Sequence, residues 1–180
     1  MAMEESKLEL IMLCGIPCSG KSTHVREFLM SKNYSNAGPC RYKLLSTDNY
    51  IKRYASLNSS EHGILSYDDV FNRAIGDAKA SMQVDLEEAI QFNRSIIWDQ
   101  TNLTPKVRKL KLKSIPDHYY KTAVYFTCDL WQALLDNIER SKSCGKTIPV
   151  SVMQTMHNSF VVPTLKEGFD SIVHIDRSSS

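Results

Sequence analysis

The chain has 180 residues, 42% of them hydrophobic and 23% charged, a composition that excludes a disordered or fibrous protein and suits one well-buried domain, residues 1–180, better than two. A formal net charge of +2 is too near balance to demand a polyanionic partner, so any nucleic acid must meet a local basic patch. No run approaches about 18 consecutive apolar residues, so no membrane span is expected. Glu4 and Glu5 stand where a signal peptide would carry basic residues.

Taken in chain order, the signals alternate between strand and helix. Leu8 to Cys14 is an apolar run of strand length ending at Gly15. Gly20 to Met30 reads as a helix, with Val25, Phe28 and Leu29 at helical spacing. Tyr42 to Ser46 is a second strand, closed by Thr47-Asp48-Asn49. From Tyr67 to Phe92, the residues Phe71, Ala74, Ile75, Ala78, Met82, Leu86, Ala89 and Ile90 fall on one helical stripe. Gly76 interrupts it, so one long helix and two stacked ones both fit. Ser95 to Trp98 is a third strand, Pro105 to Ile115 a helix opened by proline, and Lys121 to Cys128 a fourth strand. Leu130 to Arg140 is helical, Ser141 to Thr147 a polar loop, Pro149 to Phe160 a helix and Asp170 to Ile175 a last strand. Ser178 to Ser180 should fray. Five strands separated by helices predict an α/β fold: a doubly wound, parallel five-stranded sheet with helices on both faces.

Cysteines 14, 18, 40, 128 and 144 are odd in number and contain no CxxC pair. They read as reduced thiols, which places the protein in the cytoplasm or another reducing intracellular compartment.

Gly15-Ile16-Pro17-Cys18-Ser19-Gly20-Lys21-Ser22 is a complete GxxxxGKS between a strand and a helix, the context the motif requires. Its glycines let backbone N–H groups turn toward phosphate oxygens, and the helix start adds partial positive charge. Lys21 would reach the β- and γ-phosphates of ATP, and the Ser22 hydroxyl would ligate Mg²⁺. Cys18 takes a place where glycine would serve; it reads as a tolerated small residue, with alkylation sensitivity as the alternative because a helix N-terminus lowers a thiol pKa.

Ligands in open α/β sheets bind beyond the carboxyl ends of the strands. Asp48 follows the second strand and Asp99 the third. Asp48 fits a general base that takes the proton of an acceptor hydroxyl, and it equally fits an N-cap of the helix through Tyr50, Ile51 and Tyr54. Asp99 either holds the Mg²⁺ shell or substrate, or fixes the Thr101-Asn102 turn.

Together, GIPCSGKST at 15–23, STDNY at 46–50, DQTN at 99–102 with Leu103 and Pro105, IPVSVM at 148–153 and PTLKEGFDSIVHID at 163–176 resemble the kinase domain of polynucleotide 5′-kinases, bacteriophage and eukaryotic. The resemblance runs over nearly the whole chain. It implies a P-loop kinase with a short lid at about 140–148, residues 15–23 up to Thr23 on the ATP phosphates, Asp48 as base, and Asp99, Thr101 and Asn102 at the acceptor end. The phage branch carries an arginine three residues after the base; here that place is Ile51, with Lys52 and Arg53 beside it as substitutes. The family's lid arginine on the donor phosphates corresponds best to Arg140, with Lys142 and Lys146 behind it. No phosphatase domain is expected within residues 1–180.

The basic run Lys106, Arg108, Lys109, Lys111 and Lys113 reads as a solvated helix face before it reads as a phosphate-binding surface. Trp98, Trp131, Tyr119 and Tyr120 could stack bases, although aromatics at strand ends are more often core. The leading expectation is transfer of the γ-phosphate of ATP, with Mg²⁺, to a nucleic-acid hydroxyl, most simply a 5′-OH end. The alternatives are a hydroxyl on a modified base, a small-molecule acceptor (nucleoside, nucleotide or sugar), and an ATP-binding module without turnover.

Overall fold

The apolar run ahead of Gly15 becomes the central strand β1 (Glu9–Cys14) of a computed structural model that describes residues 7–33, 41–58, 67–144 and 146–177. Its side chains alternate between two cores: Leu10, Met12 and Cys14 on one face, Ile11 and Leu13 on the other. Burial on both sides is what a parallel sheet requires, and it is why the run reads as continuously apolar.

After β1 come helix α1 (Lys21–Asn33), β2 (Tyr42–Leu45), α2 (Thr47–Asn58), α3 (Tyr67–Gln91), β3 (Ser95–Asp99), α4 (Pro105–Leu112), β4 (Tyr120–Thr127), α5 (Leu130–Cys144), α6 (Val150–Ser159), a single 3-10 turn (Leu165–Glu167) and β5 (Ser171–Asp176). The strands lie in the order β2-β3-β1-β4-β5, and every neighbouring pair is parallel. Helices cover both faces: Leu86 and Ala89 of α3 and Leu112 of α4 pack on one, while Val25 and Phe28 of α1 pack on the other. The α/β, five-stranded parallel architecture is therefore present as expected.

Several local readings change. Helix α3 runs unbroken through Gly76, where an added Cβ would meet nothing within 4 Å. In its first half the predicted stripe holds at Ala74, Ile75 and Ala78, but Val70 is buried in place of Phe71. Val70, Ala74 and Ala78 pack against Ile51 and Ala55 of α2, so Val70 is 2% exposed and Phe71 38%. The reason is that the helix faces α2 first and the sheet only later.

The basic run on α4 is not simply a solvated face. Lys106, Lys109 and Lys113 are exposed, but Arg108 is fully buried and Leu110 is 71% exposed. Arg108 is drawn inward by paired 2.8 Å contacts to Glu167 and by the carbonyls of Asn102, Leu103 and Val161. Helix α5 continues to Cys144, so the polar loop expected over 141–147 is partly helical, and Arg140 and Lys142 sit on a helix instead of a free loop. Trp98 and Tyr119 are core residues; Trp131 is an exposed surface residue.

Three cysteines, Cys14, Cys18 and Cys128, are free thiols. Expectations for residues 1–6, Cys40, Gly145, the Cys144 side chain and Ser178 to Ser180 lie outside the described residues. Among the described residues, no helix is long and apolar enough to cross a membrane.

Candidate active site

Strand register brings the motifs together. Leu13 pairs with Asp99, and Leu45 pairs with Trp98. The loop after β1, Asp99 at the end of β3 and Thr47-Asp48 after β2 therefore open on one end of the sheet. β1 leads outward to β2, and β3 crosses back over β1 to β4, so this is also where strand order reverses, the usual place for a ligand crevice. A cleft of about 910 Å³ lies there, lined from the loop by Pro17, Cys18 and Gly20 to Thr23.

The loop backbone is shaped by left-handed residues. Gly15 (φ +154) would place a Cβ 2.9 Å from Ser19 Oγ and 3.1 Å from the Phe126 carbonyl. Gly20 (φ +93) would place one 2.6 Å from Arg177 Cδ. Cys18 itself has φ +63, a conformation that costs a side-chain-bearing residue energy, so glycine would indeed serve there. Burial pushes its thiol pKa up, against the pull of Arg140.

Lys21, which opens α1, is folded back onto the loop. Its Nζ donates to the carbonyls of Gly15 (2.9 Å) and Ile16 (2.5 Å) and to Ser19 Oγ (3.4 Å). Burial lowers its pKa to about 8, with Asp99 the strongest opposing influence. The Ser22 hydroxyl donates to Asp99 Oδ2 at 3.3 Å. Burial raises the Asp99 pKa, while Lys21 and the Ser22 hydrogen bond lower it. Among the described residues no cluster of three or more His, Cys, Asp or Glu could hold a metal. A hydroxyl and a carboxylate side by side match Mg²⁺ instead, which takes one or two protein oxygens and shares the rest with substrate phosphates.

Asp48 is not the N-cap of α2. The helix begins at Thr47, and the Asn49 and Tyr50 N–H groups donate to the Ser46 carbonyl. The Asp48 carboxylate lies in the cleft and forms an ion pair with Lys146. Lys146, expected at the donor phosphates, is thus found on Asp48. Arg140 also lines the cleft, with its Nη2 donating to Asn137 Oδ1 at 2.8 Å. Lys142 pairs with Glu139 at 2.7 Å, well exposed, outside the cleft lining.

The acceptor-side expectations divide. Asp99 and Thr101 line the cleft, and the Thr101 carbonyl accepts the Gly15 N–H at 2.8 Å. Asn102 does not line it. Buried and left-handed (φ +45), it donates to the Leu13 carbonyl at 2.6 Å and ties β1 to the turn after β3. Its amide is consumed in holding the chain. Arg53 is exposed on α2, outside the cleft lining, with its charge acting on Asp85 and Tyr50.

Sequence reasoning missed Thr47, Gln100, Phe71, Asn72 and Arg177, all of which line the cleft. Arg177 packs over Gly20, donates to the Cys18 carbonyl at 3.4 Å and reaches Asp136 of α5 at 3.8 Å. Its place just past the end of a predicted strand was the available signal, since that edge is where such sheets bind ligands.

Residues 10–163 match the family model described as AAA domain. Among solved structures, a chain of the Pnkp1/Rnl/Hen1 RNA repair complex superposes with a TM-score of 0.62 at 16% identity, covering 88% of this chain and 46% of that one. This chain therefore spans about half of that relative's length. A gluconokinase from Sinorhizobium meliloti 1021 gives 0.52 at 15% identity, covering 96% and 84%. A chain of the PezAT toxin–antitoxin system of Streptococcus pneumoniae gives 0.68 at 14%, covering 98% and 70%. Likeness at these identities establishes a common P-loop kinase-like fold, and fold alone carries no substrate.

Proposed function

The chain belongs to the AAA domain family, and from that premise and the cleft's chemistry we propose that it is an ATP-dependent kinase acting on a nucleic-acid hydroxyl, most simply the 5′-OH end of DNA or RNA. The observation that carries the reading is the carboxylate of Asp48 in the same cleft as the phosphate loop and Lys21. A P-loop alone binds nucleotide; a carboxylate opposite it is what an acceptor hydroxyl needs.

In this mechanism the loop N–H groups and Lys21 receive the donor phosphates, Lys21 exchanging the Gly15 and Ile16 carbonyls for phosphate oxygens. Ser22 and Asp99 would hold Mg²⁺, which supplies neutralisation of phosphate charge when bound. Asp48 takes the acceptor proton as the acceptor oxygen bonds to the γ-phosphorus and the bond to the bridging oxygen of ADP breaks. Arg140 faces the same space, suited to the charge on the transferring group, and Lys146 must release Asp48 for the base to act. The nucleic-acid acceptor is supported by the combined STDNY and DQTN segments and by the RNA-repair relative.

A small-molecule acceptor is the second reading. It is favoured by the uncharged acceptor wall of Thr47, Phe71, Asn72, Ile75 and Gln100 and by the fold shared with a gluconokinase. One assay separates the two: γ-labelled ATP offered with 5′-OH DNA and RNA, hydroxymethylated DNA, nucleosides and sugars. Label on an oligonucleotide end, lost in Asp48→Asn with ATP affinity retained, is the expected result. Asp48→Asn should cut transfer by about 10²–10⁴-fold, the usual range for a positioned base. Label confined to small molecules moves the acceptor to the second reading, and full activity of Asp48→Asn refutes the base.

A further inference from the structure

The mechanism leaves the half-buried cation Lys111 unused. Lys111, in the last turn of α4, sends its ammonium behind the cleft instead of toward solvent. Nζ donates to Gln100 Oε1 and to Asn102 Oδ1 and lies 5.0 Å from the centroid of the Trp98 ring. No ion pair holds it among the described residues. The titrating group that acts on it is the Cys14 thiol, which burial pushes up to about 12 and so keeps neutral. Burial lowers the Lys111 pKa to about 8, which still leaves it mainly charged at neutral pH. A buried cation without a carboxylate is costly, and an apolar side chain of similar volume would serve packing as well or better.

The partners of Lys111 explain its place. Gln100 Oε1 also accepts from Trp98 Nε1 at 3.1 Å, which fixes the amide so that its Nε2 points the other way and donates to Thr47 Oγ1. Thr47 is the first residue of α2 and the neighbour of Asp48. Asn102, the second partner, is bonded to the Leu13 carbonyl at the end of β1, just before the phosphate loop. One ammonium therefore reaches both sides of the cleft: the start of the helix that carries Asp48, through Gln100, and the strand that delivers the loop, through Asn102.

We infer that Lys111 is a positioning residue for phosphoryl transfer, holding Gln100 and, through Gln100 and Thr47, setting Asp48 against the phosphate loop. The inference rests on the reading of Asp48 as the base. Lys111 is not among the residues that line the cleft, so its loss should lower kcat while the donor affinity stays. Misplacement of a catalytic group by about 1 Å can cost as much as 100-fold, and a fall of about tenfold to 100-fold is expected here.

The test uses Lys111→Met, Thr47→Val, the double variant, Thr47→Ser and Asp48→Asn. Each is measured for γ-phosphate transfer to a 5′-OH DNA oligonucleotide, for basal ATP hydrolysis with water as acceptor, for ATP affinity by calorimetry, and for Tm. Lys111→Met and Thr47→Val should each lose kcat with ATP affinity within about twofold of wild type. The double variant should be no worse than the worse single, because both cut one chain of contacts. Thr47→Ser, which keeps the hydroxyl, should restore the rate. Normal kcat in Lys111→Met beside an inactive Asp48→Asn overturns the inference and leaves the base standing. Losses that multiply in the double variant, or that track Tm, reduce Lys111 to a structural strut and also overturn it. A fully active Asp48→Asn, or a wild-type protein that neither transfers nor hydrolyses, removes the base reading and this inference with it.

Discussion

At the scale of single residues, Lys21 shows burial and charge acting in opposite directions. Its ammonium is enclosed by the loop carbonyls, and burial brings its pKa to about 8. Two pH effects of opposite sign follow. Between about 8 and the ordinary lysine value of 10.5 the unfolded chain binds a proton that the folded protein has lost, so this residue's contribution to stability rises with pH. Phosphate binding needs the charged form, so ATP affinity should fall as pH rises through about 8, with proton uptake on binding above it. Calorimetric ATP titrations at pH 7 and pH 9 in buffers of different ionisation enthalpy would show both the weakening and the uptake. Lys21→Ala should abolish the pH dependence along with most of the affinity and transfer. A flat affinity between pH 7 and 9 would contradict the assignment. Residues of this kind were legible because the motif prescribes them. The pairing of Asp48 with Lys146 was not, since the two are 98 positions apart and no local pattern joins them.

At the scale of elements, each strand was readable to within a residue or two, most directly β1 and β3, where burial on both faces writes a continuous apolar run. Helices were less so, because a helix reports only the faces it happens to bury. The stripe on α3 held at Ala74, Ala78, Leu86 and Ala89, but it did not tell that the first two meet α2 and the last two the sheet, nor that Val70 is buried in place of Phe71. The basic run on α4 concealed Arg108 because charge alone signals solvent. Gly76 provides a direct check on α3. It sits inside a continuous helix with open space where a Cβ would go, so it costs helix propensity without serving a close contact. Gly76→Ala should stabilise the protein by about 0.5–1 kcal/mol, read as a higher urea midpoint at unchanged m, with transfer activity unaltered. A loss of stability would mean that the glycine permits a conformation the straight helix does not.

At the scale of the whole molecule, the alternation of strand and helix was enough to predict the doubly wound sheet, but not what fastens its far corners. That task falls to the pair Arg108 and Glu167. Arg108 on α4 bonds the turn after β3 at Asn102 and Leu103, the segment after α6 at Val161, and the 3-10 turn at Glu167. The Glu167 side chain is 4% exposed, and its second oxygen also accepts the Thr164 N–H at 2.9 Å. Burial alone would raise the Glu167 pKa, but the hydrogen bonds from Arg108 and Thr164 outweigh it and hold the carboxyl below 4.5. A carboxylate depressed in this way contributes stability that is present above about 4.5 and lost as pH falls through its folded value. Removing one partner leaves the other charge buried and unpaired, which costs about 3–5 kcal/mol, whereas replacing both by apolar groups can cost much less. Glu167→Gln should therefore lower the urea-derived stability at pH 7 by about 3 kcal/mol or more, and show a shallower stability decline between pH 5 and pH 3 than wild type. The double variant Arg108→Met, Glu167→Leu should be more stable than Glu167→Gln. If Glu167→Gln instead loses under about 1 kcal/mol, the level expected of an exposed pair, these contacts do not fasten α4 to the segment that leads into β5, and the sheet edge must be held by apolar packing of Phe169 and Ile172 alone.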